Sequence, residues 1–360
     1  MSEGRAGLAG LALALGAVGL AAGLFAERRL VGRPLQGRAP DGEPLGLFRG
    51  RPQTVTTDDG VELWAEIDDP RPGAEFADLT VVFSHGYSLN LDSFHFQRRG
   101  LGGSARLVFW DQRGHGRSSR GPRGSYTIAQ LGLDLAAVID QAAPDGPLVL
   151  VGHSMGGMTM MALAEARPDL IERVVGAVFL STSAGAMHEV PLGLPRPVAG
   201  LLHAWGPRAL AALALAPSYV DRRRQTGSDL DLLLTRLYSY ASPVPPSVVD
   251  FTAEILASTP IDVVAELMPE FGRHQRVDAL AAFRECECLV LVGDRDLLTP
   301  VEHSEVIVRV LPHAEHAVVP QTGHMLLMEH PDAVNEAIRD LLARAHRLHL
   351  ARVGTGGRAG

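Results

Sequence analysis

The stretch Leu148-Val149-Leu150-Val151-Gly152-His153-Ser154-Met155-Gly156 runs from an apolar, β-branched segment into a Gly-x-Ser-x-Gly turn, and a helical pattern follows it. An apolar run of this length reads as a strand buried on both faces. The glycines on either side of His153-Ser154-Met155 fit a turn too tight for flanking side chains. A serine at the apex is held in a strained conformation, with its hydroxyl above the sheet edge and the positive end of the next helix behind it. Ser154 is therefore the candidate nucleophile.

A serine hydroxyl attacks only when a base takes its proton. Gln321-Thr322-Gly323-His324-Met325 follows the last strand-like run, His316 to Val319, and precedes the final helix. A loop there can hang the imidazole of His324 over the turn; His330, beside Pro331, is the rival base. The base needs a carboxylate to fix its tautomer and stabilise the imidazolium. Val292-Gly293-Asp294-Arg295-Asp296-Leu297-Leu298-Thr299-Pro300 lies at the carboxyl end of a strand. Asp296, farther into the loop, is preferred over Asp294, nearer the turn. Two backbone N–H groups should receive the charge that develops on the substrate oxygen. Met155, directly after the nucleophile, supplies one. Tyr87, in His85-Gly86-Tyr87-Ser88 after a strand ending at Ser84, supplies the other.

Further strands are read at Leu79 to Ser84, Leu107 to Trp110, Val174 to Leu180 and Cys288 to Val292. Thr54 to Thr57 and Val61 to Ile67 flank Asp58-Asp59-Gly60 as a hairpin. Helices fall between the buried strands, one of them opened by a Thr127–Gln130 capping box. The alternation predicts an α/β fold: a mostly parallel sheet with helices on both faces. Residues 53–182 and 277–348 form this core. It breaks over 183–276, where Val198 to Leu215, Leu230 to Tyr240 and Val248 to Leu256, the last behind a Ser247 cap, predict an all-helical insertion placed as a cap.

The chain has 360 residues, 46% of them hydrophobic and 21% charged, and a net charge of −8. No basic block is present, which argues against nucleic acid as a partner. Cys286 and Cys288 would close only a tiny loop and have no companion ligands, so neither a disulfide nor a metal site is expected. Ala6 to Ala26 carries no charge, and 21 helical residues span about 31 Å, the thickness of a bilayer core. Residues 1–30 are read as a membrane anchor and 31–52 as a linker. Only Arg5 precedes the run, whereas Arg28, Arg29, Arg33 and Arg38 follow it, which places the remaining chain on the cytoplasmic side. Secretion after cleavage of a signal segment is the alternative, weakened by Leu24 at a poor cleavage position.

His85-Gly86, Asp111-Gln112-Arg113-Gly114-His115-Gly116-Arg117-Ser118, the serine turn, Gly293 to Pro300 and Gly323-His324 occur in this order. Together they resemble the α/β-hydrolase fold family, in the branch with a helical cap after strand six, over roughly residues 50–345. The resemblance implies an α/β fold with a mostly parallel eight-stranded sheet, Ser154, Asp296 and His324 as a triad, Tyr87 and Met155 as oxyanion donors, no cofactor, and a structural turn at Asp111 to Ser118. A serine at the turn, not an aspartate, argues against the epoxide-hydrolase and haloalkane-dehalogenase relatives. The expected reaction is cleavage of a carboxylic, thio or lipid ester through an acyl-enzyme. Met155, Met158, Met325 and the Leu- and Ala-rich insertion point to a small apolar ester-like substrate. Carbon–carbon hydrolysis, cofactor-free perhydrolysis and a non-catalytic ligand-binding role are the alternatives on the same fold.

Overall fold

The structure is a computed structural model that describes residues 44–225 and 229–356. The apolar run 6–26, read as an anchor, lies outside the described residues. Among those described, no single helix is long and apolar enough to cross a membrane. The segment read as a linker is pinned at its end: Leu45 packs on the core and Gly46 N–H donates to His95 Nδ1 at 3.2 Å.

Eight strands form one sheet: β1 (Arg51–Thr56), β2 (Glu62–Asp68), β3 (Phe76–Ser84), β4 (Ala105–Trp110), β5 (Leu148–His153), β6 (Val174–Leu180), β7 (Glu287–Gly293) and β8 (Glu315–Val319). Their order is β1-β2-β4-β3-β5-β6-β7-β8. The β1–β2 and β2–β4 pairs are antiparallel and the others parallel. The Asp58-Asp59-Gly60 turn closes the β1–β2 hairpin, with Gly60 at φ +80° as a turn of this kind requires.

Alternation along the central strands supplies two apolar layers. In β5, Leu148 and Leu150 join one cluster while Val149 and Val151 join the other. The helices α1 (His95–Leu101), α2 (Ile128–Ala142), α3 (Met155–Ala166), the single turn α4 (Pro168–Ile171), and farther along α10 (Val301–Val310), α11 (Leu326–Glu329) and α12 (Pro331–Gly356) cover them. Leu135 of α2, Met160 of α3 and Ile307 of α10 fill the first layer; Phe96 of α1 and Ile338 of α12 fill the second. Thr127 caps α2 by accepting from Gln130 N–H at 3.1 Å. The Gln130 amide turns to Asp134 at 3.3 Å, so only half of the capping box forms.

Between β6 and β7, five helices occur among the described residues: α5 (Arg196–Leu213), α6 (Pro217–Gln225), α7 (Asp229–Ser239), α8 (Pro246–Ser258) and α9 (Ile261–Arg273). The stretch expected from Val198 to Leu215 is met by α5; α6, which Pro217 opens, lies beyond it and is bent by 102° from α5. The expected Ser247 cap is not made. Pro245 holds the cap position, Ser247 sits in the first turn of α8, and its buried hydroxyl has no partner. Pro246 starts the helix two residues early because its φ is already helical.

Candidate active site

Strand β5 ends at His153 and α3 begins at Met155, which leaves Ser154 alone on the turn with φ 51° and ψ −117°. A β-carbon-bearing residue adopts positive φ only when its surroundings compel it. Here Ser154 N–H donates to the Leu180 carbonyl at 2.9 Å, and the Ser154 carbonyl accepts from Thr182 Oγ1 at 2.6 Å and Gly157 N–H at 3.0 Å. A β-carbon on Gly156 would strike the Ser84 carbonyl, and one on Gly152 would lie 2.5 Å from Gly157 N. Both glycines are sterically required.

Asp296 lies in the loop after β7 with its side chain fully buried. Its Oδ1 accepts from the N–H groups of Leu298 and Thr299 at 2.9 Å each, and its Oδ2 accepts from Thr299 Oγ1 at 2.8 Å. His324 Nδ1 stands 2.9 Å from Oδ2 and 3.1 Å from Oδ1. Burial would raise the carboxyl, but the His324 ring and these donors outweigh it and hold the group below the usual carboxylate range. With Nδ1 donating to a carboxylate, Nε2 is the nitrogen left to accept a proton.

The rival groups part company here. Asp294 is exposed and accepts from Thr322 N–H at 3.1 Å, bracing the turn before Gly323. His330 caps the C-terminal end of α11 and does not reach Asp296. The ring of His324 lies 5.0 Å from that of His153, whose Nε2 donates to the His324 carbonyl at 3.0 Å. Burial pushes His153 down to about 3, so it is neutral. Ser154 and His324 line one cavity. Among the described residues no hydrogen bond joins the Ser154 side chain to His324, whose Nδ1 is engaged by Asp296.

Gly86 brings the loop after β3 against the turn: a β-carbon there would lie 3.2 Å from Ser154 Cβ. Neither Tyr87 N–H nor Met155 N–H donates to another backbone group among the described residues. The loop is locked from behind. His85 Nε2 accepts from Gln112 N–H at 3.0 Å, Gln112 Nε2 donates to the His85 carbonyl at 2.6 Å, and Thr159 Oγ1 donates to Gln112 Oε1 at 3.0 Å. Asp111 of the glycine-rich turn accepts from Leu91 N–H and Arg117 N–H at 2.7 and 2.8 Å, a bracing role. The Tyr87 hydroxyl donates to the Val264 carbonyl of α9 at 2.5 Å, tying the loop to the insertion.

The cavity measures about 1270 Å³ and is walled by sheet-edge loops on one side and the insertion on the other. Met158 and Met325 line it, whereas the Met155 side chain is buried beside Leu131. Reading the sequence missed two polar residues. Thr299 holds the Asp296 carboxylate, although it lies within the quoted loop. Glu329 is buried and joins distant segments: Oε2 accepts from Gly323 N–H at 2.7 Å, and Oε1 accepts from Ala241 N–H at 2.9 Å and from Ser242 N–H. No local pattern signals such a bridge.

A sequence profile for the alpha/beta hydrolase fold matches residues 80–331. The sn-1-specific diacylglycerol lipase ABHD11 of Mus musculus is 27% identical over 281 residues, covering 73% of this chain and 80% of that protein. The 3-oxoadipate enol-lactonase 2 of Acinetobacter baylyi is 26% identical over 271 residues, covering 73% of this chain and 88% of its own. Among solved structures, a thermophilic esterase from Thermogutta terrifontis aligns with a TM-score of 0.59 at 26% identity, over 82% of this chain and 99% of the esterase.

Proposed function

Because this chain belongs to the α/β-hydrolase fold family, we propose that it is a serine hydrolase cleaving carboxylic esters of apolar acyl groups through an acyl-enzyme. The hydrogen bond between His324 Nδ1 and the buried Asp296 carboxylate, beside the cavity that Ser154 lines, carries this reading. Ser154 Oγ attacks the ester carbonyl carbon while His324 Nε2 takes its proton. Asp296 stabilises the imidazolium. The carbonyl oxygen becomes an oxyanion that accepts from Tyr87 N–H and Met155 N–H, each such donor contributing about 3 kcal/mol to the transition state. His324 then protonates the departing alcohol. Water, deprotonated by the same nitrogen, attacks the acyl-enzyme and frees the acid and Ser154.

The size of the cavity supports a long acyl group, since ordinary small-molecule sites occupy roughly 300–1,000 Å³. The named relatives, a diacylglycerol lipase, an enol-lactonase and an esterase, share chemistry at an acyl carbon and support the reaction class. The test is covalent labelling of the full chain with a fluorophosphonate, alongside hydrolysis of p-nitrophenyl esters of increasing acyl length. Labelling should vanish in Ser154→Ala. Labelling that survives this substitution, or none in the parent, overturns the assignment.

A further inference from the structure

Ten of the fifteen large hydrophobic residues that are exposed among the described ones fall within residues 198–237. They belong to α5, α6, α7 and the connection between α5 and α6. Of the eighteen residues of α5, only Ala199 is buried. Trp205 is 61% exposed and Leu215 is 82% exposed. A water-facing helix surface ordinarily carries charged and polar side chains, and a contiguous apolar patch of this kind marks a contact with something else. Of the ten, Leu202 and Leu213 of α5 and Leu234 of α7 line the cavity, as does Leu210, while Leu201, Trp205, Leu215, Tyr219, Leu233 and Leu237 lie outside its lining and make the outer surface. One helix thus separates the cavity from whatever covers the patch.

Three observations identify the occupant. Residues 196–236 hold six arginines against three aspartates, in a chain whose net charge is −8, so the apolar patch is set among local positive charge. Arg208 lies over the Trp205 ring at 5.5 Å. An apolar face with tryptophan and arginine on it matches the boundary between acyl chains and anionic headgroups. The bend of 102° between α5 and α6 excludes one continuous crossing and suits helices lying along a surface. Finally, the described chain starts at Pro44, and at Gly46 it is packed against Phe251 of α8, within the insertion. The apolar run 6–26 is joined to Pro44 by seventeen residues, which reach at most roughly 60 Å, so a bilayer that held this run would lie within reach of the exposed helices.

We propose that the outer face of α5, α6 and α7 docks on an anionic lipid bilayer, so that the cavity beneath α5 receives lipid-dissolved esters directly from the membrane. The docking half stands by itself; the substrate half rests on the hydrolase reading above.

The chain has three tryptophans, Trp64, Trp110 and Trp205, and residues 1–43 contain none. Trp110 is fully buried and Trp64 is half-buried, with its indole N–H donating to Glu66 Oε1 at 3.2 Å. Emission of the full chain therefore reports docking of α5 separately from insertion of the leader. Vesicles of phosphatidylcholine with phosphatidylglycerol should shift the emission to the blue, and brominated acyl chains should quench it. Both effects should disappear in Trp205→Phe and persist in Ser154→Ala, which keeps docking readable if the catalytic assignment fails. In Leu201→Glu/Leu233→Glu, hydrolysis of a vesicle-borne long-chain ester should fall about tenfold while a soluble short-chain ester is cut as before. Emission unchanged by vesicles while the protein floats with them would assign membrane contact to the leader alone and overturn the proposal. So would a blue shift that appears without lipid, since the leader or a second copy of the chain would then cover the patch. An unquenched shift, or a double variant that loses both activities equally, also counts against it.

Discussion

The carboxyl edge of the sheet and the helical insertion wall the same cavity, yet they are built in opposite ways. At the sheet edge the polar groups of the proposed site are held by several bonds. Asp296 receives two backbone N–H groups, one hydroxyl and one imidazole. The loop carrying Tyr87 is fixed through His85, Gln112 and Thr159. In the insertion, α5 turns apolar residues both inward and outward and buries a single side chain. The contrast separates two tasks. Charge developing within a few ångströms must meet dipoles already in place, because reorienting them would consume the stabilisation they give. An acyl chain asks only for apolar surface, which many arrangements supply. The sheet edge should therefore govern rate, and the insertion should govern which substrate is accepted and where it is met.

The largest effect expected from this division is at Asp296. Asp296→Asn preserves the size of the side chain and some of its bonds but no longer stabilises the imidazolium or selects the Nδ1–H tautomer of His324. Its kcat on a soluble ester should drop about 10⁴-fold, with the unfolding midpoint far less affected. A loss under tenfold would mean that the carboxylate serves structure only.

Acid should strike the sheet edge next. Burial holds His115 at about 4 and His153 at about 3, and pushes His85 well below its ordinary value. His274, near the end of the insertion, is held at about 4 for the same reason. Each is neutral in the folded protein and titrates near 6.5 once unfolded. Their contribution is complete above pH 6.5 and is lost as the pH falls toward their folded values, because the unfolded chain then binds more protons. Burial lowers His303 as well, which adds to the loss. Asp111 opposes it: burial raises it to about 7, so its protonation favours the fold over the same range, and burial also raises Asp92, Asp134 and Asp250. Five groups against four leaves a net loss, each unbalanced histidine costing about 1 kcal/mol per pH unit. Denaturant unfolding followed from pH 7 to pH 4 should show stability falling; a flat profile would mean that the buried carboxyls offset the histidines in full.

Much of the sheet edge is legible in the sequence, because its determinants are local. The glycines around Ser154 answer to sterics within five residues, and the placing of loops after strands follows from alternation. The choice between Asp294 and Asp296 is not local. Only folding shows that the first faces solvent and the second is enclosed by Thr299 and His324. The insertion is less legible. Pro217 opens α6, which apolar spacing did not announce, and Pro246 displaces the cap expected of Ser247. Pro269 lies inside α9, a helix that apolar spacing did not single out. Glu329 is hidden for a different cause, since its three partners lie six residues and nearly ninety residues away.

Glu329 is where the two regions meet, and Glu329→Gln tests whether they are coupled. The carboxylate accepts from Gly323 N–H, beside His324, and from the turn that ends α7. An amide in its place points a donor at one of these N–H groups. Each charged hydrogen bond lost weakens the anchoring by roughly 2 kcal/mol. The loop bearing His324 would be misplaced slightly, which reduces kcat about tenfold and leaves KM for a short soluble ester nearly constant. An effect confined to thermal stability, with kcat preserved, would show that the bridge joins the insertion to the fold without positioning the base.

The smallest effect should come from the insertion's own wall. Met268 of α9 lines the cavity and lies outside the bonded loops of the sheet edge. Met268→Trp adds bulk without touching Ser154, His324 or Asp296. A pocket discriminates single methylene groups by about 1–3 kcal/mol at most, and a cavity of about 1270 Å³ has room to redistribute the crowding. Esters of long acyl chains should therefore lose roughly tenfold in kcat/KM, while short-chain esters, which do not extend under α9, keep theirs. Plotted against acyl length, the parent and the variant should coincide at first and then diverge, and the length at divergence measures the distance from the scissile carbon to residue 268. Parallel curves, displaced equally at every length, would mean that the substitution had reached the catalytic loops through Tyr87, which is bonded to α9 at Val264. In that case the insertion takes part in setting the rate, and the division between the two walls fails at that contact.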